Sequence, residues 1–367
     1  MTGPATSLAQ DALGYSEDEH RQLGIGTVGG LYTSADVLAR ERALLFSDSW
    51  SIVASSNELA IPGSYVTAKV GDAPLVVVRD HHDTLHAFHN ICRHRGITLV
   101  EGSGTLGRFM TCPYHQWSYD LAGDLTRVPQ GEEQFAALDN CTLGLHPAQV
   151  TEWQGMVFVN ALAAAPALAT SMADLDRRLD PFLSGPLVEV AKVEYEAACN
   201  WKLLVENHID VYHLWYLHAR SLAAYQHREF AWESLGDNWW SLEPLKDPTT
   251  VRGGLEWIPP HMRHHIGAFL LFPNLMLVTT DHYFATYDAV PLTPDRTRLT
   301  LRVRSTSDAD GEALVNSIRS FLAEDVGACE RMQEAASSPH FSVGPLASTH
   351  EEPIRRFHAA LRRRMTK

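Results

Sequence analysis

The sequence predicts an α+β protein in two parts, a small all-β domain and a larger domain in which helices pack on an antiparallel sheet. Short β-rich runs separated by Gly and Pro extend from about residue 50 to residue 160. An Ala-rich segment at 161–170 then interrupts this pattern, and beyond it helical periodicity alternates with longer strands. The predicted domains are therefore 1–48, 49–160 and 161–367.

Length and composition indicate a folded, globular chain. Its 367 residues are 45% hydrophobic and 20% charged, which provides enough apolar material for a sizeable core. The formal net charge of −14 disfavours nucleic acid and anionic membranes as partners, since both require a basic surface. The N-terminus lacks the basic region and apolar run of a secretory signal, and the longest apolar stretch, 266–278, is too short to cross a bilayer. We expect a cytoplasmic protein without a membrane partner.

Residues 1–48 are expected to form a helical segment that packs with the larger domain. Within it, apolar residues recur at helical spacing from Ser34 to Phe46, and Ser34 is a suitable N-cap. The all-β domain that follows is predicted from strands at 65–70, 75–78 and 156–159.

The larger domain is predicted to contain helices and long strands. Ser171 and Asp174 resemble a capping box that opens a helix after the 161–170 linker. A long helix is expected from about residue 310 to residue 335. The strands are expected at 188–197, 268–278, 283–290 and 298–305.

Two short cysteine–histidine motifs fall in the all-β domain. Cys92 and His94 are followed, after 17 intervening residues, by Cys112 and His115. Two thiolates and two imidazoles suit a two-iron cluster with both sulfurs on one iron and both ring nitrogens on the other. Structural zinc is the alternative, but such zinc sites usually pair Cys with Cys and His with His along the chain. Because each loop here supplies one of each, the cluster is favoured.

This arrangement resembles the Rieske [2Fe–2S] motif. The longer strings from Asn90 to Gly96 and from Cys112 to Trp117 are similar to the oxygenase branch of that family. The side chains expected to tune or shield the cluster are Arg93, Arg95 and Trp117.

A second group of metal-binding residues lies between Glu206 and His218. Asp210 and His213 are three residues apart and share one face of a helix. His213 and His218 are five residues apart, about 140° around an ideal helix, so they cannot converge on a regular one. The helix must therefore widen into a π-type turn or end before His218.

Asp325 is the candidate for a third ligand. It falls within the apolar stripe of the predicted 310–335 helix, whereas Glu324 and Glu330 are expected to point elsewhere. A carboxylate on a buried face is costly unless a cation pairs with it, and an Arg partner is the alternative to a metal. Two His and one carboxylate with open positions form the facial triad of non-haem Fe(II) oxygenases. The predicted iron ligands are His213, His218 and Asp325.

The second half of the chain also resembles the catalytic domain of Rieske oxygenase α subunits. The likeness rests on Asn207, Asp210, Tyr212, His213, His218 and the late Asp325. It implies a terminal oxygenase that contains a [2Fe–2S] cluster and a mononuclear Fe(II) and acts on O₂ and a small organic substrate. No dinucleotide or flavin motif is visible in the sequence, so a separate reductase or ferredoxin is expected to relay electrons from NAD(P)H.

The resemblance further implies a homotrimer in which the cluster of one subunit reduces the iron of its neighbour. Asp210 would bridge a cluster histidine, His94 or His115, and His213 across the interface, and Asn207 would line the pocket near the iron. Hydroxylation, oxidative demethylation and cis-dihydroxylation all stay open, as does the choice between an aromatic and a quaternary-ammonium substrate. An electron-transfer protein without oxygenase chemistry is the alternative from a different class.

Other residues have more ordinary expectations. Cys141, Cys199 and Cys329 are expected to be buried, inert thiols. His261, His264 and His265 are expected in a solvated loop. Aromatic residues that line a pocket or, alternatively, fill the core are Trp215, Tyr216, Trp239, Trp240, Trp257 and Tyr283.

Overall fold

The computed structural model describes residues 10–135, 139, 142–250 and 254–366. They form two compact units, one spanning Arg42–Ser171 and the other combining the described chain up to Glu41 with the chain from Met172 onward. The predicted α+β class is confirmed, with an all-β unit and a unit of helices and antiparallel sheet. The predicted domain boundaries after residues 48 and 160 stay a proposal.

The described residues form eight α-helices: α1 Glu17–Gln22, α2 Gly30–Thr33, α3 Ala35–Leu44, α4 Gly131–Gln134, α5 Leu168–Leu183, α6 Trp201–Ile209, α7 Gly311–Ala336 and α8 Glu352–Met365. The strands are β1 Ser51–Ser55, β2 Ser64–Val70, β3 Ala73–Arg79, β4 Leu85–His89, β5 Ser103–Thr105, β6 Phe109–Thr111, β7 Ser118–Asp120, β8 Leu125–Arg127, β9 Pro147–Trp153, β10 Met156–Asn160, β11 Val188–Ala197, β12 Ala231–Leu235, β13 Asn238–Pro244, β14 His265–Leu271, β15 Leu275–Thr279, β16 Phe284–Thr293 and β17 Arg296–Ser305. Within these ranges, no helix has both the length and the apolarity needed to cross a bilayer.

The Arg42–Ser171 unit is built from antiparallel strands. Its larger sheet has seven strands in the order β1-β10-β9-β4-β3-β2-β5, and its smaller sheet has the order β6-β7-β8. Side chains of β3 alternate between the two faces of the sheet. On one face, Val76 and Val78 join a buried cluster that also contains Cys92 and Cys112. The core of this unit therefore supports both cysteine loops.

The other unit is organised around a seven-stranded antiparallel sheet in the order β11-β17-β16-β15-β14-β13-β12. Helix α6 packs on the sheet at β14 and β16, and α7 packs on α6. The carboxylate of Asp310 caps α7 by accepting a hydrogen bond from the Ala313 N–H. The buried face of α7 includes Ile318, Leu322 and Cys329, which places the middle of this helix against α6.

The single strand expected at 268–278 is wrong, because the chain turns at Phe272–Asn274 and forms β14 and β15 as a hairpin. Pro273 has no N–H to contribute to a strand ladder. The Asn274 side chain donates to the Ala289 carbonyl and fastens the turn to the next strand.

The capping box expected at Ser171 is also wrong. Helix α5 already begins at Leu168, inside the expected linker, so Ser171 lies within its first turns. Apolar side chains at helical spacing explain the earlier start, because they are buried along one face of the helix. They are Leu168, Met172, Leu175 and Leu179.

The burial of the cysteine and histidine side chains tests the expectations made for them from the sequence. Cys199 and Cys329 are buried as predicted, and interaction with Cys199, together with burial, raises the pKa of the Cys329 thiol. Cys141 lies outside the described residues. The solvated-loop expectation holds for His261, which is exposed, but His264 and His265 are half-buried and His265 begins β14.

A buried ion pair joins α3 to α6. The Lys202 ammonium lies 2.5 Å from Glu41 Oε1, and the side chains are 1% and 0% exposed. The Trp201 indole N–H donates to the other carboxylate oxygen of Glu41 at 2.8 Å. Because both charges are out of water, each depends on the other for compensation.

Replacement of Glu41 by Ala should therefore destabilise the protein strongly. The change leaves a buried ammonium without its partner, which costs about 3–5 kcal/mol in comparable pairs. Urea denaturation followed by tryptophan fluorescence measures the free energy of unfolding. Asp36→Ala, an exposed carboxylate of the same helix, is the control and should cost about 1 kcal/mol or less. Equal effects of the two variants would contradict the importance of the pair.

Candidate metal centres

The two cysteine loops have the same backbone geometry. The Cys92 N–H donates to the Ile97 carbonyl and the Gly96 N–H donates back to the Cys92 carbonyl, at 2.8 and 2.9 Å. The second loop repeats this pattern five and four residues after Cys112, at 2.8 and 3.0 Å. Gly96 and Gln116 occupy equivalent positions and both have positive φ, 76° and 59°. Two equivalent turns therefore present one Cys and one His each.

The loops bring the thiols together and the imidazoles together. Cys92 and Cys112 are 2% and 1% exposed, and burial with the neighbouring Cys112 sulfur raises the pKa of the Cys92 thiol. The rings of His94 and His115 have centroids 4.7 Å apart and are only half-buried. The sulfurs thus lie on the inside of the unit, and the two imidazole side chains lie nearer its surface.

This donor set fits a [2Fe–2S] cluster with unlike ends. The Nδ1 atom of His94 is buried and has no hydrogen-bond partner within the described part of the chain, which suits a metal ligand. Burial, reinforced by the nearby His115, lowers the pKa of His94 and favours the neutral imidazole that binds metal. Cys92, His94, Cys112 and His115 are the residues that would hold the cluster.

Aromatic side chains pack around these loops. Trp117 is buried and stacks on His94 with centroids 4.7 Å apart and planes 9° apart, which agrees with the shielding role predicted for it. Arg93 and Arg95 contact His146 and Tyr114. Tyr119 was not anticipated from the sequence.

The Tyr119 hydroxyl accepts a hydrogen bond from the Arg93 N–H at 3.0 Å and lies 3.5 Å from Cys92 Sγ. Burial raises its pKa, so the phenol stays protonated and can donate to the sulfur. Its position in β7, two residues after Trp117, is the only sequence signal that points to it.

The second group of candidate ligands meets in the other unit. One ligand atom from each of His213, His218 and Asp325 lies within 4.8 Å of the other two. Asp325 Oδ1 is 2.8 Å from His218 Nε2 and 3.5 Å from His213 Nε2. Helix α7 supplies the carboxylate, and the segment after α6 supplies both imidazoles.

The local structure of this segment differs from the expected helix. α6 ends at Ile209 with Asp210 as its C-cap, and a short 3₁₀ helix covers Tyr212–Trp215. His213 therefore lies beyond the helix as well as His218, and no π-type turn occurs between them. The departure from regular helix removes the 140° separation and lets the rings approach with centroids 5.0 Å apart.

The electrostatics of this group favour a cation. Burial alone lowers the pKa of His213, but the Asp210 and Asp325 carboxylates outweigh it and raise that pKa to about 9. Burial opposes ionisation of Asp325, yet its contacts with His213 and His218 lower its pKa overall. A positive charge is thus stabilised among these side chains. Two imidazoles and one carboxylate are also the donor set that non-haem iron uses, so the residues fit the metal.

Each histidine has a further carboxylate behind it. His213 Nδ1 lies 3.3 Å from Asp210 Oδ2. Glu324 was expected to point elsewhere, and this is wrong. Glu324 Oε2 lies 2.7 Å from His218 Nδ1 and accepts a hydrogen bond from Ser221 Oγ at 2.5 Å. The His218–Glu324 hydrogen bond is of the kind that orients a metal-binding imidazole, whereas His213 Nδ1 lies near Asp210 without a hydrogen bond among the described residues. The His218 ring lies between the carboxylates of Glu324 and Asp325. The two adjacent acidic residues at 324–325 are the sequence feature that could have indicated this arrangement.

The three candidate ligands line a cavity of about 110 Å³. Asn207 and Asp210 also line it. The other lining residues are Leu204, His208, Val211, Leu214, Leu222, Tyr225, Trp239, Ser241, Glu243, Ile266, Ala268, Met276, Val278, Tyr287, Leu299, Phe321 and Leu322. Of the aromatic residues proposed from the sequence, only Trp239 is among these lining residues. Tyr216 is 72% exposed, and the Trp257 indole N–H donates a hydrogen bond to the Phe182 carbonyl.

Residues 49–143 match the family described as the Rieske [2Fe–2S] domain, and residues 185–367 match the family described as the ring hydroxylating alpha subunit (catalytic domain). The chain belongs to the Rieske oxygenase α subunits. A Rieske [2Fe–2S] domain and a non-haem iron catalytic domain are therefore both present, as predicted.

Curated members of the family show the range of likeness. The glycine betaine monooxygenase oxygenase subunit of Chromohalobacter salexigens is 34% identical over 216 residues, which cover 57% of this chain but only 48% of that protein. The carnitine monooxygenase oxygenase subunit of Acinetobacter pittii is 28% identical over 78% of this chain and 82% of its own length. The chlorobenzene dioxygenase α subunit of a Cupriavidus strain is 31% identical over 67% and 54%, respectively.

Solved structures share the fold. A quaternary ammonium Rieske monooxygenase superposes with a TM-score of 0.78 at 24% identity, covering 92% of this chain and 94% of that one. Naphthalene 1,2-dioxygenase superposes with a TM-score of 0.75 at 20% identity, covering 92% of each chain. Mono- and dioxygenases thus have the same architecture, and the fold does not separate them.

Replacement of Cys92 by Ser should bleach the visible absorption of the Rieske oxygenase cluster, because Cys92 is predicted to supply a thiolate ligand that a hydroxyl does not replace. Absorption spectra of the purified variant, with iron quantified in parallel, provide the measurement. Cys199→Ser, a buried thiol of the other unit, should leave the spectrum intact. An unaltered spectrum in the Cys92 variant would reject this residue as a ligand.

Replacement of His213 by Ala should remove the mononuclear iron and reduce turnover to background while the cluster spectrum survives. Iron analysis is expected to fall from about three atoms per chain to about two. His340→Ala, which changes an exposed histidine, serves as the matched control. Loss of the cluster spectrum in the His213 variant would disprove the independence of the two metal sites.

Proposed function

We propose that this chain is a terminal oxygenase that uses O₂ to hydroxylate or oxidatively demethylate a small organic substrate, either aromatic or quaternary-ammonium. Electrons are relayed from NAD(P)H through a separate reductase or ferredoxin. The observation that carries the proposal is the meeting of His213, His218 and Asp325 at the wall of a largely apolar cavity. A group of two histidines and one carboxylate at this position is explained by a metal ion that reacts with a substrate bound in the cavity.

The metals supply single-electron transfer at the cluster and O₂ activation at the mononuclear site. The protein supplies the side chains that position the iron and the substrate. Asp325 and the two histidines would hold the iron, Glu324 keeps His218 in orientation, and Asp210 lies behind His213. Leu204, Ile266 and the other apolar lining residues exclude water from the reacting centre.

Two alternatives make different demands on the site. A cis-dihydroxylating arene dioxygenase would use the same ligands, and arene dioxygenase α subunits are among the relatives. A Rieske electron-transfer protein would use only Cys92, His94, Cys112 and His115. That alternative leaves the three-residue group on α7 and the segment after α6 without a role, so the oxygenase is favoured.

We also propose a cytoplasmic homotrimer. His94 and His115 are half-buried at the surface of their own unit, where a second subunit has access to them. Inter-subunit electron transfer is described for the related quaternary ammonium Rieske monooxygenase. Asp210 is the residue proposed to connect a cluster histidine of one subunit with His213 of the next. The cytoplasmic location is supported by buried free cysteines, which are typical of reducing compartments.

Replacement of Asp210 by Ala should leave the cluster reducible but abolish its coupling to substrate oxidation. The carboxylate lies behind His213 and accepts the Tyr212 N–H at 2.6 Å, but it is not one of the three proposed iron ligands, so its loss is expected to disturb the path between the metals more than the iron content. Dithionite reduction of the cluster and single-turnover product formation should be measured on the same sample. Normal turnover would rule out the bridge.

Iron analysis combined with O₂ uptake tests the proposed function as a whole. The oxygenase should contain about three irons per chain and consume O₂ faster when a substrate is added with NADH and a surrogate reductase. Quaternary amines and aromatic acids should be compared side by side. An iron content of about two per chain, with no substrate-stimulated O₂ uptake, would support the electron-transfer alternative.

A further inference from the structure

The cavity contains a carboxylate that the metal site does not use. Strand β13 is buried at every second residue, and this face presents Trp239, Ser241 and Glu243 to the cavity. The Glu243 side chain is only 6% exposed. An acidic side chain at such a position requires a partner, because burial of an unpaired carboxylate is costly.

Only one of its oxygens has a hydrogen-bond partner in the described part of the chain. Glu243 Oε2 lies 2.7 Å from Nδ1 of His227, whose side chain is 7% exposed. Glu243 Oε1 has no hydrogen-bond partner among the described residues. His227 thus fixes the orientation of the carboxylate and leaves one oxygen for a molecule in the cavity.

The surroundings of Glu243 distinguish between substrate classes. A neutral arene in the cavity would displace water from Oε1 and leave it unpaired. An organic cation would pair with it and could also lie against the aromatic faces of Trp239 and Tyr225, which favour cations. No lysine or arginine is found among the described lining residues, so nothing basic there other than histidine competes for the carboxylate.

We propose that Glu243, oriented by His227, selects an organic cation as substrate, an alkylammonium or quaternary ammonium in preference to a neutral compound of the same shape. This inference rests on the proposed function, because it assigns a substrate class to the same cavity. The competing explanation is that Glu243 and His227 form only a structural pair of the sheet. That explanation predicts an effect of mutation on stability but none on the selectivity between charged and neutral ligands.

Two ligands of equal shape test the charge directly. Choline and 3,3-dimethyl-1-butanol differ in having nitrogen or carbon at the centre of the branched group, so only choline is a cation. Binding to the full-length, metal-containing protein should be measured by anaerobic calorimetry without reductant, which prevents turnover. Choline should bind at least about tenfold more tightly than its neutral counterpart.

Glu243→Gln keeps the shape and removes the charge. It should weaken choline binding about 10-fold to 100-fold and change the neutral ligand by less than about twofold. Glu243→Asp, which restores the charge, should recover the preference for choline. Glu233→Gln, at an exposed site on the adjacent strand β12, is the matched control and should bind both ligands as the parent does.

Several outcomes would overturn the assignment. They are no preference for choline in the parent protein, an unchanged choline affinity in Glu243→Gln, or an equal loss for both ligands. Failure of the proposed function is recognised separately, because iron content does not depend on which ligand binds and O₂ uptake is tested with both quaternary amines and aromatic acids. A protein with three irons and substrate-stimulated O₂ uptake but no cation preference would retain the function and lose the role of Glu243.

Discussion

Asp325 occupies the buried face of α7, where an ionised carboxylate is costly unless positive charge meets it. The imidazoles of His213 and His218 approach this carboxylate from a segment distant in sequence. Their convergence constrains where α6 ends and how the chain continues after it. Helix α6 must end at Ile209, because a continued helix would direct His213 and His218 apart. The Asp210 C-cap and the short 3₁₀ helix achieve this change of direction. The cavity is lined by residues of α6, of the segment after α6, of α7 and of the sheet.

The cysteine loops meet a comparable demand through backbone geometry. A [2Fe–2S] centre with unlike ends needs its sulfurs on one side and its nitrogens on the other. Two turns with the same hydrogen bonds accomplish this, since each directs its Cys inward and its His outward. The sheet core beneath them, including Val76 and Val78, keeps the two turns side by side. Ligand placement here depends both on main-chain hydrogen bonds within each turn and on side-chain packing beneath them.

Much of the architecture could be predicted because its signals are local. The Cys92 and Cys112 motifs, the helix from Gly311 to Ala336 and strand β11 all follow from spacing and periodicity within short windows. The clustering of His213, His218 and Asp325 was inferred from residue chemistry together with family resemblance. Details that depend on tertiary contacts are harder to predict from the sequence. Glu324 and Tyr119 act through partners far away in sequence, and the chain just after α6 is held by a hydrogen bond from the Val211 N–H to the carbonyl of the distant His350.

The closure of each cysteine loop by its own backbone has a consequence for how the protein can diversify. Residues next to the ligand positions, such as Arg95, Pro113 and Tyr114, are exposed and do not take part in those hydrogen bonds through their side chains. Natural variation at these positions can therefore remodel the surface around the cluster without moving the ligands.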